Sequence, residues 1–252
     1  MTKNEIKIIQ SLKQSKYRKE YSLFTVEGNK VVAELISSKL TIKNILVTQE
    51  WLDNNDRFDF SGHDYEIVTN QQMEQVSSLS TPPGIFAVSA IPTLQVTSND
   101  SQSEILLLLD GINDPGNLGT IIRTADWFGI RKIVISEDTA SPWQPKTVQS
   151  AMGSLFRMTI SECNIEEFLK ENTAPVFGAL MQGENIFKKE IPDNKGVIII
   201  GSESHGIRKN IIPFVTSPIH IPRAKGSITE SLNASVAAGI IMAEVFRKFS
   251  LL

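Results

Sequence analysis

Cysteine is nearly absent from this chain: Cys163 is the one in 252 residues. A disulfide framework and a cysteine-based zinc site are therefore excluded. His63, His205 and His220 are the three histidines, so a histidine-rich metal centre has little material and no metal is expected. Long apolar runs are missing too. The stretch from Val197 to Ile200 falls far short of the ~20 residues that cross a bilayer, so no membrane partner is expected. The N-terminal MTKNEIKIIQSLKQ dots lysines along an amphipathic pattern without the apolar core of a signal peptide, and a cytoplasmic setting is expected. A strong excess of one charge is also lacking, the net being −3. With 41% hydrophobic and 21% charged residues, the composition is that of a globular protein and excludes disorder or a fibre. The length suits one or two domains and can bury a full core.

The small net charge hides a gradient. Residues 1–32 carry seven Lys/Arg against three Asp/Glu, residues 33–104 three against ten, and residues 105–252 fifteen against fifteen. A basic arm on an acidic protein points to a local polyanion contact, or to a solvated helix face. No broad basic nucleic-acid surface is available.

Hydrophobic periodicity divides the chain. Residues 5–21 read as one helix with Ile6, Ile9 and Leu12 on one side. SLFTVEG follows as a strand, NKVVAELISS as a helix, NILVT and YEIVT as strands, NQQMEQVSSL as a helix and GIFAVSA as a strand. These make a small α/β domain over 1–91. Residues 92–103 are polar, turn-rich and aperiodic, and read as a linker. From residue 104 to 252 the rhythm alternates strongly. ILLLL, KIVIS, PVFGAL, GVIII and IHI read as strands. LGTIIRTADWFG, TVQSAMGSLF, NIEEFLKEN, IRKNIIPFV and a final SLNASVAAGIIMAEVFRKF read as helices. Leu232, Val236, Gly239, Ile240, Ala243 and Phe246 line one side of the last. Continuous apolar strands separated by helices predict a parallel sheet covered on both faces.

In open α/β sheets, ligands bind beyond the carboxyl ends of the strands. Three segments stand there. DGINDPGNLGTIIRTA follows ILLLL; its polar turn is neither a dinucleotide fingerprint nor a phosphate-binding P-loop, and Asn117 is placed to cap the helix. Arg123, inside an otherwise apolar helix, must be paired or reach the surface. GVIIIGSESHGI has glycines that let the backbone turn sharply. Its Glu203 could receive Arg123 or hold a substrate group, or be a favourable acid at a helix start. A nucleophile elbow is excluded by spacing. In IHIPRAKGSITESLNAS, Ser231 or Asn233 can cap the long helix, as a plain cap or as part of an anion site.

In this order, NDPGNLGTIIRTA, IIIGSESHGI and IPRAKGSITESLNAS resemble the three motifs of the SpoU (TrmH-type) branch of the SPOUT RNA methyltransferases. LKQSKYRKEYSLFTVEGNKVVAELI and TPPGIFAV look like the substrate-binding domain that precedes the catalytic domain in many rRNA-modifying members. The resemblance covers nearly the whole chain. It implies a C-terminal parallel-sheet domain with a deep trefoil knot, a small N-terminal α/β substrate-binding domain and a homodimer. It also implies methyl transfer from S-adenosylmethionine to a ribose 2′-hydroxyl, in rRNA or, alternatively, in tRNA. A non-catalytic RNA-binding assembly factor of the same fold is the reading from another class. Residue by residue, the resemblance implies Arg123, Glu203, Asn233, Ser231 and Asn117 as the catalytic set. Leu180, Gly201, Ile221 and Leu232 are implied at the methyl donor, largely through backbone. Lys13, Lys16, Arg18 and Lys19 of the basic arm are expected at RNA phosphates. The sequence departs from the family at Arg223, where many members have an apolar residue, and in a slightly longer loop from Pro222 to Ser231.

Overall fold

The structure is a computed structural model that describes residues 1–191 and 194–250. The backbone gathers into two compact units, Met1–Thr93 with Ser141–Arg157, and Leu94–Ala140 with Met158–Leu252.

The first unit opens with α1 (Lys3–Ser11) and α2 (Ser15–Tyr21). There follow β1 (Leu23–Glu27), α3 (Asn29–Ile36), β2 (Ile42–Thr48), α4 (Gln49–Asn54), β3 (Glu66–Val68), α5 (Asn70–Val76) and β4 (Ile85–Ala90). Strand order is β1-β4-β2-β3; β4 runs antiparallel to both neighbours and β2 parallel to β3. Ile9, Leu12, Leu46, Met73, Val76 and Phe86 form one core cluster. The single helix expected over 5–21 is two helices. The apolar stripe is real, but the chain turns at residues 12–14 so that Leu12 is fully buried. The carbonyls orphaned by that turn are satisfied by Arg18, which donates from Nη1 to Leu12 O at 2.8 Å and Lys13 O at 2.9 Å.

In the second unit, β5 (Ile105–Asp110), α6 (Pro115–Trp127) and β6 (Lys132–Ile135) come first. The next helix, α7 (Pro145–Ala151), lies inside the expected domain 104–252 yet gathers with the first unit. The reason is aromatic packing: Trp143 and Phe156 stand 4.9 and 6.1 Å from the buried Phe24 ring. The helix expected over TVQSAMGSLF breaks at Met152 and Gly153, both at positive φ, before a 3-10 turn at Ser154–Arg157.

The second unit continues with β7 (Thr159–Glu162), α8 (Ile165–Glu171), β8 (Val176–Asn185), β9 (Gly196–Gly201), β10 (Ser217–His220) and α9 (Ala234–Ser250). Its six described strands are all parallel, in the order β10-β8-β9-β5-β6-β7. Side chains alternate across the sheet. Leu106, Leu108, Val134, Val197 and Ile199 pack with Ile165, Phe168 and Leu169 of α8. Each such fully buried side chain contributes roughly 1.5–3 kcal/mol. Residues 92–103, expected as a linker, contain buried Val96, Ser98 and Ser101 and a 3-10 turn at Ser98–Gln102. Residues of IRKNIIPFV form only a 3-10 turn, Ile212–Phe214. The edge strand β7 has no apolar run, which is why periodicity did not reveal it.

Two glycines allow close chain crossings. The β8–β10 register jumps from Pro218 opposite Gly178 to Ile219 opposite Glu184, so residues 179–183 bow out of the ladder. A Cβ on Gly183 would meet the Ile219 main chain at 2.4 Å, and one on Gly201 would meet the Gly206 main chain at 2.1 Å. No larger residue fits either crossing without moving backbone.

Candidate active site

The loops after β5, β9 and β10 leave the carboxyl edge of the sheet, where these strands and β8 are near neighbours. Asp110, the last residue of β5 and fully buried, ties two of the loops together. Its Oδ2 accepts from Arg208 N at 2.8 Å and its Oδ1 lies 2.5 Å from Arg208 Nε. Arg208 Nη1 reaches Asp138 at 3.5 Å. The Ser136 hydroxyl, and then the Arg208 charge, hold the Asp138 carboxyl below its ordinary range. Asp110 opens the first of the three segments singled out in the sequence, whereas Arg208 was not singled out. Its signal was an arginine two residues past Gly206.

α6 begins with Asp114, not Asn117, as its cap: Asp114 Oδ1 accepts from Asn117 N at 2.9 Å, and Pro115 fills the first helical position. A proline there lacks only a donor that would be orphaned anyway. Asn117 is thereby freed for another task. Its Nδ2 donates to Glu203 Oε1, and its Oδ1 accepts from Asn233 Nδ2 at 3.1 Å. Asn233 Oδ1 in turn accepts from Ser235 N at 2.9 Å, Ser235 Oγ at 2.6 Å and Val236 N at 3.3 Å, capping α9. An ionised carboxylate only accepts, so it dictates which end of the Asn117 amide faces it. That orientation fixes the Asn233 amide, whose oxygen then points at the helix. Three residues far apart in sequence form one polarised chain, Glu203–Asn117–Asn233–α9.

Glu203 therefore holds Asn117 rather than Arg123. Arg123 is exposed, on the solvent face of α6 with Thr120 and Trp127, and makes no hydrogen bond or ion pair among the described residues. Ser231 is exposed and caps nothing. His205 is exposed, with Nδ1 2.9 Å from Ser204 Oγ. Arg18 is 4% exposed and turned inward, so it is not an RNA contact; burial pushes its guanidinium below its ordinary range. Lys13, Lys16 and Lys19 are exposed. Lys13 Nζ donates to Ser77 O at 2.7 Å, and Lys16 Nζ lies 5.5 Å from the Tyr17 ring centre.

The positions implied at the methyl donor sit on three adjacent strands or just beyond them. Leu180 is in the bowed part of β8, Gly201 ends β9, Ile221 follows β10 and Leu232 precedes Asn233. Leu180 and Ile221 are half-buried and Leu232 is 45% exposed. Half-exposed apolar side chains beside a bare glycine main chain fit an adenosine-bearing ligand held through backbone. Among the described residues, no group of three or more His, Cys, Asp or Glu side chains could hold a metal ion, and no helix is long and apolar enough to cross a membrane.

The stripe read on α9 is real but is not the face that helix buries. Ala234, Ala238, Ile241, Met242 and Val245 are buried, while Val236 is 50% and Phe246 45% exposed. The helix is apolar on both sides, and periodicity alone does not say which one is buried. Trp127, 83% exposed on α6, is a further apolar side chain in the open, and its neighbour Phe128 packs 5.4 Å from Phe246.

The second unit is an α/β fold with a six-stranded parallel sheet and polar loops converging at its carboxyl edge, the layout of a ligand-binding α/β enzyme. Residues 104–243 match the SpoU rRNA Methylase family and residues 3–87 the MRM3-like substrate binding domain. The chain belongs to the SpoU rRNA methylase family and is a methyltransferase. It is 30% identical, over 94% of both chains, to the 23S rRNA (guanosine(2553)-2′-O)-methyltransferase RlmP of Bacillus subtilis. The AdoMet-bound rRNA methyltransferase from Sinorhizobium meliloti superimposes with a TM-score of 0.84 at 26% identity, covering 99% of this chain and 96% of that one. The SpoU methyltransferase AviRb from Streptomyces viridochromogenes shares the fold, with a TM-score of 0.83 at 21% identity over 98% of each chain.

Proposed function

We propose that this protein transfers a methyl group from S-adenosylmethionine to a ribose 2′-hydroxyl of ribosomal RNA, acting as a homodimer in the cytoplasm. The observation that carries the reading is the Glu203–Asn117–Asn233 chain, in which all three family motifs converge. Full-length similarity to a 23S rRNA 2′-O-methyltransferase supports the substrate class. Residues 1–91 would bind the RNA, with Lys13, Lys16 and Lys19 at its phosphates, and residues 104–252 would carry the chemistry. The parallel-sheet unit would hold the trefoil knot that the family resemblance implies.

S-adenosylmethionine, when bound, supplies a methyl group already activated by a sulfonium. Leu180, Gly201, Ile221 and Leu232 would hold it. The protein's main contribution is alignment of nucleophile and methyl group, for which a rigid loop cluster suffices. The polarised amide chain stiffens the loops after β9 and β10 against α6. A guanidinium offers donors and no acceptor, so the role of Arg123 is to clamp a phosphate or the 2′-oxygen and to lower the cost of charge developing there. Arg123 lies four residues from Trp127 on one face of α6. Exposed Trp127, Val236 and Phe246 support a second copy covering this region. Arg123 would then stand at the subunit boundary.

The test is transfer of tritiated methyl groups to RNA from a strain lacking the gene. Wild type should label rRNA, and Arg123→Ala should lose roughly 10²–10³-fold in rate, as when a transition-state charge partner is removed. Donor affinity by calorimetry should be unchanged. Label on tRNA would shift the substrate. No label with donor bound would leave the non-catalytic assembly factor.

A further inference from the structure

Ion pairing separates two arginines of the second unit from the others. Arg131 pairs with Asp126, Arg208 with Asp110 and Asp138, and Arg247 with Glu244. Arg123 and Arg223 meet no carboxylate among the described residues. Arg123 has a place in the reaction proposed above; Arg223 has none.

Arg223 is exposed in the loop that leads from β10 to Asn233. Its Nη1 donates to the Thr229 carbonyl at 2.9 Å, closing the loop on itself. The tip is a turn in which Ser227 N donates to Ala224 O and Gly226 takes a φ of +87°. A guanidinium has five N–H donors, and the carbonyl uses one. The clasp therefore fixes the plane of the fork and leaves most of it facing water. Lys225, at the same tip, is exposed and has no ion pair among the described residues. Thr229 is four residues from Asn233, so the clasp lies within about 14 Å of the amide chain. A pre-oriented, uncompensated guanidinium beside a second cation is the chemistry that recognises a phosphodiester.

We propose that Arg223, assisted by Lys225, grips an RNA backbone phosphate beside the nucleotide being methylated and so positions its ribose at the Glu203–Asn117–Asn233 chain. This rests on the methyl-transfer reading above. The competing anion is the carboxylate of the donor. RNA is favoured because Arg223 and Lys225 are both on the solvent side of the loop, whereas Leu180 and Ile221 are half-buried at the strand ends.

The experiment measures binding of protein-free rRNA, from a strain lacking the gene, across a salt series. Methyl-transfer kinetics and S-adenosylmethionine calorimetry are run alongside. Arg223→Gln removes the charge yet keeps an N–H donor for the Thr229 carbonyl. It should weaken RNA binding about 10-fold, the loss of one charge-assisted contact. It should also flatten the slope of log K against log salt by about 0.7–0.9, the value of one phosphate contact. KM for RNA should rise by more than kcat falls, with donor affinity unchanged. Arg223→Lys should restore the slope and part of the affinity, and Lys225→Ala, which leaves the clasp intact, should flatten the slope as well. An unchanged slope in both Arg223→Gln and Lys225→Ala overturns the proposal, as does a loss of donor affinity that parallels the RNA defect. Should wild type bind rRNA with its full salt dependence but transfer no methyl group, the catalytic reading fails while the phosphate contact is still measured.

Discussion

Asn117 shows how one side chain can tie the start of α6 to the loops after β9 and β10. It sits between a carboxylate that can only accept and an amide whose oxygen is needed at a helix terminus, and only an amide satisfies both neighbours. Asn117→Ala should cost about 1 kcal/mol of stability, the usual worth of a hydrogen bond at a half-exposed position. Its effect on single-turnover methyl transfer should be larger, ~10-fold or more, because alignment errors act on the barrier directly. Asn117→Asp should be worse on both counts, since it sets a second carboxylate against Glu203. Thermal melts and rapid-quench rates check this, and equal losses in stability and rate for both variants would contradict it. The three members of the chain were legible in the sequence as residue types following strands. Their mutual bonding was not, because it joins positions 86 and 116 residues apart. Arg18 failed as an RNA contact for the opposite reason: its neighbours in sequence are exposed lysines, but the turn after α1 needed an internal donor.

Among elements, the start of the second unit carries its own pH dependence. Lys132 Nζ lies 2.6 Å from Asp100 and 2.7 Å from Glu104, linking β6 to the segment that enters β5. The Lys132 ammonium and then the Thr97 main-chain N–H hold the Asp100 carboxyl below its ordinary value, while Asp100 and Glu104 raise Lys132. A lowered carboxylate contributes its stability in full above the unfolded value and loses it as pH falls through the folded one. A raised ammonium does so below the ordinary lysine range and loses it as pH rises further. Asp100→Asn should therefore destabilise at neutral pH by ~1 kcal/mol or less, the pair being partly exposed and screened. The gap should close in acid. Urea melts at stepped pH test it, and a gap that does not narrow as pH falls through the acid range would refute the assignment. Elements were read well from periodicity where the pattern was strong, as in β5, β9 and α8. They were misread where a turn residue interrupted an apolar stripe, as at Met152 and Gly153, or where an edge strand had no stripe at all, as in β7.

At the scale of the whole molecule, the unsolved face is the apolar surface of α6 and α9. Trp127 at 83% exposure is costly to leave in water, and Phe246 and Val236 add to it. If a second copy covers this face, Trp127→Glu combined with Phe246→Asp should yield a folded monomer by light scattering. Methyl transfer should fall with dimerisation, while far-UV circular dichroism stays native. A double variant that remains dimeric and active places the interface elsewhere.

Sequence by itself determined the parallel α/β character of the larger unit, the three loops at the carboxyl edge of its sheet and the residue types within them. These follow from short-range physics: strand and helix periods, and the rule that loops leave a parallel sheet at its carboxyl edge. Only the tertiary structure decided that α7 gathers with the first unit and which side of α9 is buried. Each of those outcomes is a competition between partners distant in the chain, settled by which contact excludes water best, and no local pattern encodes it.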